Sequence, residues 1–374
     1  MKKKVLIAHA HGGMGHIMAA RAIEEAFLEK YPDAEVRNVN IIDLSIGIYK
    51  TIYCEGYAFL SEKLPKAWGL FYKYLDSKLN QKVINTLSKI AMDSKFLPYI
   101  REFNPDFIIA TYPLAMRLIS LSGKKDIINI PSAMVITDFG FHSFWVDKET
   151  DYYFVATNEL CDKLSHAGIE KKSIVVSGIP IRKQFSKIIQ KDEFIRGLGL
   201  KESSPIFLII GGQFEFLTLE KVVAGVRSNV KNAQFIIISG RHDELKKNLD
   251  ESFLKKLPEV KIFEFVKNIE DFMAIASLIF TKAGGLTITE CLAMGAPMII
   301  HKIIPGQEEA NVEYCVRMGA AVKVETLDEL ISRASSLLGN PQEIIAMKKA
   351  CLKLGKPHAA SDIADFVYNK IDTR

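Results

Sequence analysis

The chain has 374 residues, 48% hydrophobic and 25% charged, with a formal net charge of +5. That length exceeds what one hydrophobic core usually takes, so two domains are expected, and the ordinary glycine, proline and charge content excludes a disordered or fibrous chain. Five cysteines (Cys54, Cys161, Cys291, Cys315, Cys351) form no CxxC pair and read as reduced intracellular thiols rather than a disulfide framework. "MKKK" opens directly onto a strand-like run with no signal-peptide pattern, and no apolar stretch reaches the ~18 residues that a membrane-spanning helix needs.

Short β-branched runs alternate with longer helical patterns. In chain order the first half offers strands at "VLIAHA" (5–10), "EVRNVNII" (35–42), "FIIATY" (107–112), "SAMVIT" (132–137), "YYFVAT" (152–157) and "IVVSGI" (174–179). A charged connector follows, and the pattern restarts with "IFLIIGG" (206–212), "AQFIIISG" (233–240), "KIFEFV" (261–266), "LIFTKA" (278–283), "PMIIH" (297–301) and "AAVKV" (320–324). Near-continuous apolar strands separated by helices predict parallel sheets covered on both faces. The expected fold class is α/β, two Rossmann-like domains facing a cleft, with ligands at the carboxyl ends of the strands.

Three glycine turns each follow a predicted strand and open a predicted helix: "HGGMGH" (11–16), "GGQFEF" (211–216) and "KAGGLTITE" (282–290). Such a turn offers free backbone N–H groups and the positive end of a helix dipole to an anion, or it merely permits tight strand–helix packing. The first turn does not fit GxGxxG, and no GKS or GKT is present, so neither a dinucleotide fingerprint nor a P-loop is found. His9, His11 and His16, with Asp138 and His142, match no standard zinc spacing. His16 stands where the turn becomes a helix. It is either a packing residue or a base of suitable pKa for activating a hydroxyl.

Residues 50–101 hold nine Lys/Arg against four Asp/Glu, together with nine aromatics. Mixed basic and aromatic residues seat a helix on an anionic membrane, serve RNA, or form a solvated helical face over a core.

Several separated stretches together resemble one family: "GGMGH" (12–16), "PDFIIATYP" (105–113), "VITDFGFHSFW" (135–145), "SGIPIRKQF" (177–185), "FVKNIEDFMAIASLIFTKAGGLTITECLAMGAPMII" (265–300) and "PGQEEANVEY" (305–314). The chain resembles the monogalactosyldiacylglycerol synthase and processive diacylglycerol glucosyltransferase family, itself similar to the peptidoglycan N-acetylglucosaminyltransferase. The resemblance implies the two-domain GT-B fold and an inverting transfer of a hexose, glucose or galactose, from a UDP-sugar to a membrane lipid, diacylglycerol first. It implies no cofactor, no metal and no nucleic-acid partner. The domains would run 1–181 and 198–357 with a linker at 182–197. The last helical pattern, with Ser361 as a cap candidate, would pack residues 358–374 back onto the first domain.

On the donor side the resemblance implies Glu290 for the ribose hydroxyls, Gln307, Glu308 and Asn311 for the sugar, and the Val266 backbone for uracil. Arg182 would reach the diphosphate, with Gly211, Gly212, Gly284, Gly285, Leu286 and Thr287 lining it. His16 would be the base or would orient the acceptor, and Gly13, Asp138, His142 and Trp145 would face the lipid. Residues 50–101 would dock on an anionic surface, placing the protein in the cytoplasm, peripheral on the inner face of the cell membrane. Glu308 departs from the two glutamines of the peptidoglycan enzyme, which argues against N-acetylglucosamine as the sugar. Three other readings stay open: a glycosyltransferase acting on another lipid-linked acceptor, a UDP-N-acetylglucosamine 2-epimerase-like enzyme, and a nucleotide-sugar-binding protein without chemistry.

Overall fold

All twelve sequence-predicted strands form, in two six-stranded sheets whose recorded pairings are all parallel. The computed structural model describes residues 2–10, 14–44, 95–123, 130–187, 189–210, 214–301 and 308–372. In the first sheet the strands are β1 (Lys4–His9), β2 (Glu35–Asn40), β3 (Phe107–Ala110), β4 (Ser132–Val135), β5 (Tyr152–Phe154) and β6 (Ile174–Val175), ordered β2-β1-β3-β4-β5-β6. The second comprises β7 (Ile206–Ile210), β8 (Gln234–Ile238), β9 (Val260–Phe263), β10 (Leu278–Thr281), β11 (Met298–Ile300) and β12 (Ala321–Lys323), ordered β12-β11-β10-β7-β8-β9.

The apolar runs are continuous because both faces of each sheet are covered. Along β1, Leu6 and Ala8 enter one core while Val5 and Ile7 enter the opposite one. In β7, Ile206 and Leu208 face one way, Phe207 and Ile209 the other. This two-residue alternation between two cores is what a pleated strand imposes. In the first domain, helices α1 (Met14–Lys30), α2 (Phe96–Phe103), α3 (Pro113–Gly123) and α4 (Asn158–His166) lie beside the sheet. In the second, α5 (Lys191–Gly197), α6 (Phe216–Asn229), α7 (Asp243–Glu251), α8 (Ile269–Ile275), α9 (Gly285–Ala293), α10 (Glu309–Arg317), α11 (Leu327–Leu338) and α12 (Pro341–Leu354) do so.

The final helix, α13 (Ala359–Asp372), returns to the first sheet. Its Ile363, Ala364 and Val367 are fully buried against Val5, Ile7, Ile23 and Phe27. Burying such a Val or Ile side chain contributes about 1.5–3 kcal/mol. Tyr368 stacks on Tyr31 at 3.7 Å, and the Tyr31 hydroxyl donates to Asp365 at 2.7 Å. Ser361 lies inside this helix rather than at its cap, because the helix already begins at Ala359.

The charged connector is not a bare tether. Its Phe185 and Ile195, with Ile181 just before it, are buried in the core beneath β7 and β8, and residues 191–197 are helical. Its apolar residues outweigh its charge, since only their burial repays ordering the segment. The two chain crossings between the domains touch each other. Lys356 Nζ donates to Val176 O at 2.8 Å, and a Cβ on Gly178 (φ +94°) would come within 2.8 Å of Lys356 Cβ.

Candidate active site

The carboxyl ends of the two sheets face one another. β1 leads to α1, β3 to Thr111 and Tyr112, and β4 to Thr137 and Asp138; opposite them, β10 leads to α9 and β11 toward α10. The approach is close. A Cβ on Gly285 would sit 2.2 Å from Thr137 O, and one on Gly140 would sit 2.6 Å from Ala310 Cβ. Gly15 and Leu286 also meet there, with a Cβ on Gly15 lying 3.9 Å from Leu286 Cβ. The amino ends of α1, α9 and α10 therefore converge on one cleft, and each presents the positive pole of a helix. Gly284, at the cap position of α9, has no side chain to occupy the first free N–H groups of that helix.

His16, in the first turn of α1, is buried. Its Nδ1 lies 2.9 Å from Thr111 O and 2.9 Å from Thr137 Oγ1, while Thr111 Oγ1 donates to His16 O at 3.0 Å. A carbonyl oxygen can only accept, so Nδ1 carries the proton and Nε2 keeps its lone pair. Burial holds the imidazolium pKa down at about 4, against the raising effect of the Thr111 carbonyl, so the ring is neutral at physiological pH. The ring meets Tyr112 edge-on at 4.8 Å and Trp145 at 6.3 Å. Trp145 is itself buried, in a short 3-10 turn capped by His142, whose Nδ1 accepts from Phe144 N at 3.1 Å. Arg117 and Ser120 of α3 grip Asp147 at 2.9 and 2.7 Å and so anchor the loop that carries Trp145.

Asp138 and Asn311 meet across the cleft. Asn311 Nδ2 donates to Asp138 Oδ1 at 3.1 Å and to Ala283 O at 3.1 Å, and Phe139 N donates to Asn311 Oδ1 at 2.8 Å. Asn311 is fully buried, so both of its amide hydrogens are spent on the protein in this structure. Burial pushes the Asp138 carboxyl up to about 6; the Asn311 hydrogen bond opposes this and Glu308 adds to it.

A second cluster lies on the donor-side wall. Arg182 Nη2 approaches Glu270 Oε2 at 3.6 Å, an ion pair too long for a hydrogen bond. Arg182 Nε and Glu270 Oε2 are buried with no hydrogen-bond partner among the described residues. Glu290 completes the cluster. Burial raises its carboxyl to about 8, with Arg182 pulling it down and Glu270 pushing it up. Two carboxyl groups thus lie in the field of one guanidinium, and the unpartnered Arg182 Nε and Glu270 Oε2 leave unmet hydrogen-bonding capacity in the wall. Val266 is partly buried and packs on the same core as Phe263 and Ile269, and Arg241 lies over the exposed ring of Phe265 at 4.5 Å.

The structure thus brings His16, Asp138, Trp145, Gly284, Gly285, Leu286, Glu308 and Asn311 to one cleft, with Arg182 clustered with Glu290 of α9. Thr287 is half-buried in the first turn of α9. Gly13, Gly211, Gly212 and Gln307 lie outside the described residues, as do positions 50–94 of the basic and aromatic stretch. Residues that the sequence reading did not single out are Thr111, Thr137 and Glu270. Their only local signal is a polar residue at a strand's carboxyl end or a helix's first turn. Among the described residues, no group of three or more His, Cys, Asp or Glu is placed to hold a metal, and no helix is long and apolar enough to cross a membrane.

The Monogalactosyldiacylglycerol (MGDG) synthase family model matches residues 16–181, and the Glycosyltransferase family 28 C-terminal domain model matches residues 206–364. A processive diacylglycerol beta-glucosyltransferase of Bacillus cereus is 30% identical over 371 residues, covering 97% of this chain and 93% of that protein. Among solved structures, a putative UDP-N-acetylglucosamine 2-epimerase from Listeria monocytogenes superposes with a TM-score of 0.67 at 15% identity, covering 100% of this chain and 98% of that one. Acinetobacter baumannii MurG does so with a TM-score of 0.59 at 15% identity, covering 98% and 99%. These structural likenesses establish the fold, which epimerases and glycosyltransferases share. Sequence similarity over nearly the full length is more selective: the chain belongs to the monogalactosyldiacylglycerol synthase and processive diacylglycerol glucosyltransferase family.

Proposed function

We propose that this protein is an inverting glycosyltransferase that moves a hexose, glucose or galactose, from a UDP-sugar to diacylglycerol at a membrane surface. The observation that carries the reading is His16. Its Nδ1 proton is committed to Thr111 O, its Nε2 lone pair is left over, and its helix start faces that of α9. Nε2 takes the proton of the acceptor hydroxyl as that oxygen bonds to the sugar C1. The bond from C1 to the β-phosphate oxygen breaks on the opposite face, and UDP leaves with the electron pair. Charge growing on the phosphate meets the amino end of α9, the backbone at Gly284 and Gly285, and the Arg182 guanidinium, contacts that strengthen in the transition state. Donor binding brings negative charge beside His16, which raises its basicity from the low value of the empty cleft.

On this reading Glu290 accepts from the ribose hydroxyls and the Val266 backbone pairs with uracil. Leu286 and Thr287 line the phosphates with Gly211 and Gly212. Gln307 and Glu308 grip the sugar, because both amide hydrogens of Asn311 already have protein partners. Gly13, His142 and Trp145 border the acceptor, and the basic and aromatic residues of 50–101 hold the protein peripherally on an anionic inner membrane face, each basic residue contributing about 1 kcal/mol. Neither a metal nor a cofactor enters these steps.

The test is transfer of radiolabel from UDP-glucose or UDP-galactose, in separate reactions, into diacylglycerol presented in anionic-lipid micelles. Label in the lipid phase from one donor supports the reading and names the sugar. Release of UDP at the same rate without lipid, or conversion of UDP-N-acetylglucosamine to its epimer, refutes it.

A further inference from the structure

Three consecutive residues at the end of β4 reach both halves of the cleft. Thr137 Oγ1 lies 2.9 Å from His16 Nδ1; Asp138 Oδ1 accepts from Asn311 Nδ2; Phe139 N donates to Asn311 Oδ1. Asn311 belongs to α10, which begins directly after Glu308. The orientation of its amide is decided by its partners. Ala283 O can only accept and Phe139 N can only donate, so Nδ2 faces Ala283 and Asp138 while Oδ1 faces Phe139. Asp138 and Asn311 are buried, and a buried amide or carboxyl left without its partner is costly, so the pairing strongly favours one arrangement of the loop against α10. The fit around it is tight, with Gly285 under Thr137 O and Gly140 against Ala310. Phe139 also stacks on Tyr314 of α10 at 5.1 Å.

We propose that Asp138 is a positioning residue of the transfer reaction: by holding Asn311 across the cleft it sets the base His16 in register with the donor-binding helix α10. Asp138 works through Asn311 and touches neither substrate. The inference rests on the role of His16 in the reading above. What Asp138 supplies is an acceptor oxygen, which the carboxyl keeps whether or not it is ionised. An asparagine in its place keeps that oxygen and an alanine does not.

The experiment compares wild type with Asp138→Ala, Asp138→Asn, Asn311→Ala and the double variant Asp138→Ala/Asn311→Ala. Lipid-dependent transfer is measured as kcat and donor KM, UDP affinity by calorimetry, and folding by thermal melts. The two alanine variants are expected to lower kcat by about 10- to 100-fold, the scale of an ångström-level misplacement of reacting groups. UDP affinity stays within threefold, because the Arg182 and Glu290 cluster is untouched. The double variant is no worse than the poorer single variant, because both remove one link. Asp138→Asn stays within about fivefold of wild type, as expected when hydrogen-bond acceptance rather than charge matters.

Equal loss in Asp138→Asn and Asp138→Ala overturns the proposal, since the carboxylate itself would then take part in the chemistry. Multiplying losses in the double variant, or wild-type kcat in Asp138→Ala, also overturn it. If Asp138→Ala does not fold, Asp138→Asn against Asn311→Ala decides the matter: a near-normal first with an impaired second supports the link, and the reverse order rejects it. Wild-type protein that binds UDP but transfers no label defeats the functional reading instead, and so is told apart from failure of this inference.

Discussion

Gly140→Ala tests whether catalysis depends on how closely the two domains meet. The added Cβ would lie 2.6 Å from Ala310 Cβ, in the first turn of α10. Two carbons rest about 3.5–4.0 Å apart, so the contact must open by about 1 Å. A displacement of about 1 Å in catalytic geometry costs on the order of 100-fold in rate, equivalent to about 2.7 kcal/mol of barrier. Stability should change by only about 1–3 kcal/mol, the cost of loosening the neighbouring Asn311 hydrogen bonds, because the clash is relieved by parting two domains rather than by rebuilding a core, and replacing glycine by alanine restricts the unfolded chain by about 0.4–1 kcal/mol. The expected variant melts within a few degrees of wild type and transfers label about 100-fold more slowly. Ala310→Gly in the same protein removes the opposing Cβ and should restore most of the rate, at a helix-propensity cost of about 1 kcal/mol. Full activity in Gly140→Ala, or no recovery on adding Ala310→Gly, would refute the reasoning.

Gly285→Ala places a Cβ 2.2 Å from a backbone oxygen, Thr137 O, which no neighbouring side-chain truncation can relieve; transfer should fall at least as far as in Gly140→Ala and resist rescue, as kinetics of the pair would read. His16→Ala should lower lipid-dependent transfer by about 100- to 10,000-fold, the range for loss of a general base, with UDP affinity retained by calorimetry. Glu290 has its carboxyl raised from 4.5 to about 8, chiefly by burial. Between those values the folded protein binds the proton that the unfolded chain has released, so stability falls as pH rises through that window, by a ceiling of about 5 kcal/mol. Glu290→Gln should flatten the slope and weaken UDP binding; melting temperatures of variant and wild type that run parallel from pH 5 to pH 9 would exclude this.

Much of the architecture is written locally. "VLIAHA" and "IFLII" announce buried strands because a pleated strand covered on both faces needs apolar residues at every position, and that pattern sits within a few residues. The glycine turn at Gly284 and Gly285 is legible because it sits between a strand pattern and a helix pattern; that a side chain on Gly285 has no room beside Thr137 O is a tertiary fact. Local pattern misled at Ser361, where a good cap residue lies inside the helix; in the connector, the burial of Phe185 and Ile195 is a packing fact that the charged composition does not announce.

The sequence by itself determined the two-sheet α/β class, the positions of the twelve strands, and the glycine turns that end strands and open helices, because each of these depends on residue type at short spacing. Residue chemistry singled out His16 and Asp138, and motif resemblance gave them roles and added Glu290 and Asn311. Only the tertiary structure decided what each one touches. His16 meets Thr111 and Thr137, 95 and 121 residues away, and Asp138 meets Asn311 at a separation of 173. Arg182 and Glu270 meet beside Glu290. Those meetings follow from the order of strands in two sheets and from the way the sheets' carboxyl ends oppose each other. Strand order is settled by which buried faces pack together over the whole chain, and no local periodicity encodes it.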